Sequence, residues 1–119
     1  MIGNAARDAE AYRGWLVGHF VAPELGARST DALEVKWATH ARGEMRSAWG
    51  ASTEATSLSV LVRGQIRIFF ATGQETLLAE PGDYVLWPPG LAHRWEIEQD
   101  DTIVLTVRWP SRAGDVVSS

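Results

Sequence analysis

Short runs of alternating apolar and polar residues, each closed by glycine, proline or an acidic pair, recur along most of this chain. Such runs predict strands rather than helices. Residues 32–41, 56–62, 65–70, 75–79 and 102–109 read as strands, with Arg63-Gly64 joining the second and third as a hairpin and Thr72-Gly73 as the next turn. Gly82-Asp83 opens a turn in which the Asp83 carboxylate is expected to bond nearby backbone amides, and residues 84–87 are the right length for a buried strand. Pro88-Pro89-Gly90 must stop that strand, because two of its residues lack a backbone donor. The chain then re-enters a sheet at His93, whose alternate neighbours Trp95 and Ile97 point the same way, into the interior.

The chain ends read differently. Residues 4–13 predict one short, alanine-rich helix with Asn4 as N-cap and Gly14 as its stop, and residues 15–21 predict an edge strand. Residues 24–31 read as loop, Asp100-Asp101 as a solvated hairpin tip, and residues 111–119 as a polar tail with no reason to fold. The expected organisation is therefore an arm or short helix over 1–14, one domain over 15–110 and a flexible tail over 111–119.

Composition narrows the function classes. With 119 residues, 45% of them hydrophobic, and no cysteine, the chain can bury a core without a disulfide or metal staple. A net charge of -4 and a pI near 5.3 argue against nucleic acid or an anionic membrane as partner. No apolar run reaches the roughly 18 residues of a membrane span, and the N-terminus has no signal pattern, so a cytoplasmic protein is expected. Seven or more short strands indicate an all-β domain, and the strand pattern alone leaves jelly roll, immunoglobulin-like sandwich and lipocalin-like barrel open.

Gly82, Pro88, Gly90 and His93 stand on the spacing Gly-x5-Pro-x-Gly-x2-His, with Ile97 where an asparagine would close the motif. In these positions the chain resembles the cupin family at its second motif, over a region of about 31–109. The resemblance implies a cupin-type double-stranded β-helix, a jelly-roll barrel carrying a short N-terminal helix or arm, with one small-molecule pocket at its open end. A narrower likeness to short bacterial cupins rests on Trp15, Gly18, His19 and Phe20, on Val35 to Trp37, and on the closing run 106–110.

The family's first motif is degenerate. Gly43 and Gly64 match its flanking glycines, while Trp49, Ala51 and Ser57 fall where two histidines and a glutamate would bind a divalent metal, leaving His93 alone of four ligands. One imidazole does not make a transition-metal site, so no cofactor is expected. An irregular site of His40 and His93 with Glu44 or Glu54 is the metal-dependent alternative. The family's strand phase points Lys36, Ala38 and His40 inward.

The expected activity is metal-independent proton transfer on a small molecule, of isomerase, epimerase, cyclase or lyase type. His93 is the expected general acid or base, because imidazole both accepts and donates near neutrality. His40 is its partner, Lys36 an electrostatic or orienting group, Trp49 and Trp95 the pocket walls, and Ser57 a further substrate contact. A non-catalytic metabolite-binding or sensor protein is the alternative from a different class. Trp15, Trp37 and Trp109 are expected in core or interface, His19 as structural or exposed. The apolar run 15–20 would be a liability as an unpaired edge, which predicts a homodimer.

Overall fold

The structure is a computed structural model and describes residues 1–118, the last two by backbone alone. In chain order it comprises α1 (Ala5–Asp8), β1 (Trp15–Val17), β2 (Glu34–His40), β3 (Met45–Ser52), β4 (Thr56–Arg63), β5 (Ile66–Phe70), β6 (Glu75–Leu78), β7 (Tyr84–Trp87), β8 (His93–Ile97), β9 (Thr102–Trp109) and β10 (Val116–Ser118). Two antiparallel five-stranded sheets, ordered β1-β2-β9-β4-β7 and β10-β3-β8-β5-β6, face each other. This is the all-β double-stranded β-helix that the resemblance implied. Among the described residues no helix is long and apolar enough to cross a membrane.

Strand alternation sets the interior. On β4 the buried positions are Ser57, Ser59 and Leu61, and on β5 they are Ile66, Ile68 and Phe70. Leu61 and the β5 residues join Leu78, Trp87, Ile97 and Val104 in one apolar cluster that fills one end of the barrel. Burying an aliphatic or aromatic side chain of this size contributes about 1.5–3 kcal/mol, so this end anchors the two sheets to each other. Toward the other end the inward positions turn polar: Lys36 pairs across from Thr106, and Ser57 from Arg108.

Several expectations change. β4 and β5 are not a hairpin: they lie in opposite sheets, so their buried faces oppose one another across the core instead of lying side by side. Gly64 turns this corner at φ +91, and a Cβ there would collide with Thr102, so glycine serves both the left-handed backbone and the close approach. Asp100-Asp101 is exposed but likewise joins strands of opposite sheets and not a hairpin. β7 is an edge strand with Tyr84 66% and Leu86 52% exposed, and only its alternate residues Val85 and Trp87 reach the core. The Asp83 carboxylate accepts from the amides of Ala79 and Glu80, as expected, at 3.0 Å each.

The N-terminal helix is shorter than expected. Asn4 caps α1 by accepting from the Arg7 amide, but a 3-10 turn follows at once and Arg13 and Gly14, both with positive φ, end it. The tail is the larger correction. β10 adds to the edge of β3, Ser111 is fully buried, and Ser119 alone lies outside the described residues. Ser111 Oγ accepts from the His19 amide at 3.0 Å and meets His19 Nδ1 at 2.7 Å. The buried Asp115 carboxylate accepts from the Thr53 hydroxyl and from the amides of Glu54 and Ala55, so polar residues that cannot build a core still fold here by satisfying a loop. Replacing Asp115 with alanine strands those donors and is expected to cost about 1–3 kcal/mol. An unchanged melting temperature would show that the segment contributes nothing to stability.

Candidate functional site

A cavity of about 110 Å³ opens between the sheets beyond the apolar cluster. β2 supplies Lys36, Ala38 and His40, and β8 supplies His93 and Trp95. β4 supplies Ser57 and Ser59, and β9 supplies Val104, Thr106 and Arg108. Trp87 from β7, Arg46 from β3 and Ile66 with Ile68 from β5 complete the wall. Five of the six expected site residues, Lys36, His40, Ser57, His93 and Trp95, thus meet in one place.

Trp49 does not join them. A bulge between Arg46 and Gly50 shifts the register of β3, so that Arg46 opposes Trp95 and Gly50 opposes His93, while Trp49 sits 5.4 Å from the guanidinium of Arg94, which does not line the cavity. A Cβ on Gly50 would collide with the Arg46 guanidinium, so the glycine makes room for that side chain to lie along its own strand. The interior position expected for a tryptophan is therefore held by an arginine and a glycine.

Each imidazole lies against an indole. His40 is 4.9 Å from Trp95 and His93 is 4.8 Å from Trp87, centroid to centroid, both tilted. Burial pushes the His93 imidazole down to about 4, the charges of Arg46 and Arg108 push the same way, and a hydrogen bond with the Gly50 backbone opposes them. His93 is thus neutral near pH 7. Its Nδ1 is buried and has no hydrogen-bond partner among the described residues. His40 is also lowered, by burial first, with Glu44 at 3.7 Å raising it and Lys36 lowering it.

Lys36 is lowered by burial and then by Arg108 and Arg46, and Arg108 by burial and by Arg46, with Glu34 holding it up. Arg108 Nε lies 3.4 Å from the Glu34 carboxylate, an ion pair without hydrogen-bond alignment. Trp15 covers this end, its ring 4.6 Å from the Arg108 guanidinium and 5.4 Å from Lys36 Nζ.

The sequence reading passed over Arg46, Arg108, Trp87, Ser59 and Thr106. Arg108 and Thr106 share the alternation of the strand 102–109, so the phase that buries Val104 carries them inward too. Arg46 gave no such signal, because β3 itself has no regular alternation.

The divalent metal of the cupin resemblance does not fit this wall. Lys36, Arg46 and Arg108 would repel a cation, and no three His, Cys, Asp or Glu among the described residues are placed to hold one. Of the alternative carboxylates, Glu54 pairs with Arg112 at 2.9 Å beside a different cleft, and the half-exposed Glu44 accepts from the Ala41 amide and lies 3.7 Å from His40.

No family model matches the sequence, and no curated protein matches it. Solved structures do. A double-stranded β-helix protein from Klebsiella pneumoniae shares 20% identity over 76% of this chain and 76% of its own, at a TM-score of 0.65. KdgF from a Halomonas species shares 20% identity over 70% of this chain and 74% of its own, at 0.63. An RmlC-like cupin from Shewanella frigidimarina shares 18% identity over 70% of each chain, at 0.59. These likenesses establish the fold, a cupin-type double-stranded β-helix.

Proposed function

We propose that this cupin-type barrel is a small-molecule enzyme that works without a metal, with His93 moving a proton between substrate and solvent-shielded imidazole. The observation that carries the reading is His93 itself, in the wall of a cavity faced by two indoles, with a buried Nδ1 that has no hydrogen-bond partner among the described residues. A neutral imidazole held in place by Trp87 can take a proton there and return it to a different atom of the same substrate, which is isomerisation, epimerisation or elimination according to the substrate. His40 of β2, tilted against Trp95 of β8, is the second group able to donate or accept. Negative charge developing on the substrate would be met by Lys36 and Arg46, and the Ser57 hydroxyl offers a hydrogen bond.

Simple binding is the second reading, favoured by one observation: a histidine titrating at about 4 is a feeble base at neutral pH. Incubating the protein with pooled small metabolites in D2O separates the two, since reversible proton abstraction erases a substrate C–H signal in the proton NMR spectrum. We expect wild type to exchange at least one such proton and His93→Gln to lose at least a hundredfold of that rate. Exchange at equal rate in the variant would remove His93 from the chemistry. Saturable binding with no exchange would leave a binding protein.

A further inference from the structure

We propose that the molecule this cavity takes is a small organic anion whose carboxylate sits among Lys36, Arg46 and Arg108. This rests on the reading of the cavity as the working site and adds the class of its ligand. Three strands, β2, β3 and β9, drawn from both sheets, each send one cationic side chain to the same wall, and no Asp or Glu lines it among the described residues. Outside that wall Glu34 lies 3.4 Å from Arg108, and Asp115 also favours the charged Arg108.

Nothing in the chain's overall balance demands this concentration of positive charge: the protein carries a net charge of -4. The three cations also disfavour one another, since Arg46 and Arg108 lower Lys36 and Arg46 lowers Arg108. A carboxylate entering this partly desolvated wall would meet all three charges where attraction is stronger than in open water. Arginine matches a carboxylate in a planar two-point contact, and Lys36 adds a point charge. Beside them the Ser59 and Thr106 hydroxyls are hydrogen-bonded to each other at 3.0 Å, which leaves one hydroxyl proton for a second polar atom.

The rest of the wall sets the body of the molecule. Ala38, Ile66, Ile68 and Val104 are apolar and the indoles of Trp87 and Trp95 flank them. A water-sized group takes roughly 10–15 Å³ on the same measure, so about 110 Å³ holds a carboxylate with a few more heavy atoms and excludes a nucleotide or sugar chain. A fully hydrated ion such as inorganic phosphate would leave the apolar side unused.

Titrating the full-length protein with acetate, butyrate, 2-oxobutyrate, lactate and benzoate, each beside its neutral amide, tests this through the fluorescence of Trp87 and Trp95 and the melting temperature at low salt. At least one acid should bind saturably, with its amide at least tenfold weaker. Arg46→Met should weaken the same acid at least tenfold. So should Gly50→Ala, whose added methyl meets only the far end of the Arg46 side chain and should leave the melting temperature within a few degrees. Amides that bind as tightly as their acids would overturn the anion and leave the pocket standing. Tighter binding by inorganic phosphate than by every acid would overturn the carboxylate. No binding by any acid, amide or phosphate would overturn the pocket reading as well.

Discussion

Glu34→Gln lowers the stability of this protein by about 3 kcal/mol, read from urea unfolding at pH 7, the size expected when one partner of a buried ion pair is removed. Glu34 is 7% exposed and is the carboxylate that faces Arg108, itself flanked by the charge of Arg46. Neutralising Glu34 leaves that guanidinium buried beside like charge with only the weaker influence of Asp115 to offset it, whereas the glutamine fills the same space, so the loss is electrostatic and not a cavity effect. The double variant Glu34→Gln, Arg108→Met should recover most of it, because an apolar pair can replace a buried ionic one at little cost. A single variant within 1 kcal/mol of wild type would mean that solvent or a rearranged Arg46 already compensates Arg108. The same variant should also tighten the carboxylate binding proposed above, since it removes the acid paired with Arg108 at 3.4 Å.

Acid should unfold the wild type earlier than His93→Gln. The folded His93 titrates at about 4 and the unfolded one at its ordinary value of 6.5, so as pH falls the unfolded chain takes up the proton first. The stabilising contribution is complete above about pH 6.5, erodes between 6.5 and 4, and is exhausted below 4. A gap of about two and a half pH units at 1.36 kcal/mol each gives about 3 kcal/mol, which solvent reaching the partly covered ring reduces to about 1–2 kcal/mol. His40 titrates in the same direction and leaves a residual slope in the variant. Melting temperatures between pH 7.5 and 4.5 that fall in parallel for both proteins would show that His93 is not held neutral by the fold.

Regular alternation was the legible signal in this chain. It marked β2, β4, β5, β8 and β9, where one face is buried, and together with the family phase it placed Lys36, His40 and His93 on the inner wall. It failed where the period breaks. The bulge between Arg46 and Gly50 breaks the pairing of β3, so neither the strand nor its arginine stood out, and Trp49 was placed inward by counting along the family motif from Gly43, with no strand phase to check it. Turn chemistry was legible at Asp83, whose carboxylate acts on neighbours in sequence. It misled at Gly64, because a glycine corner between sheets and a hairpin turn need the same backbone freedom and differ only in distant partners such as Thr102. Asp115 and Ser111 failed for a related reason: they fold the C-terminal segment through loops that lie far away in sequence.

The way the chain crosses between sheets also governs how it must assemble. Among the described residues only β1 with β2 and β5 with β6 are sequence neighbours that pair, while β9 must find β2 and β4, and β3 must find β8, over long intervening segments. Each of those closures costs chain entropy before any ladder rewards it, which places such a topology among slow folders on the millisecond-to-second scale. β9 is the meeting point: it carries Thr106 and Arg108, and until it inserts between β2 and β4 their edges remain open. The strand that completes the wall of the cavity is thus also the one whose late arrival leaves the nascent sheet most open to pairing with another chain.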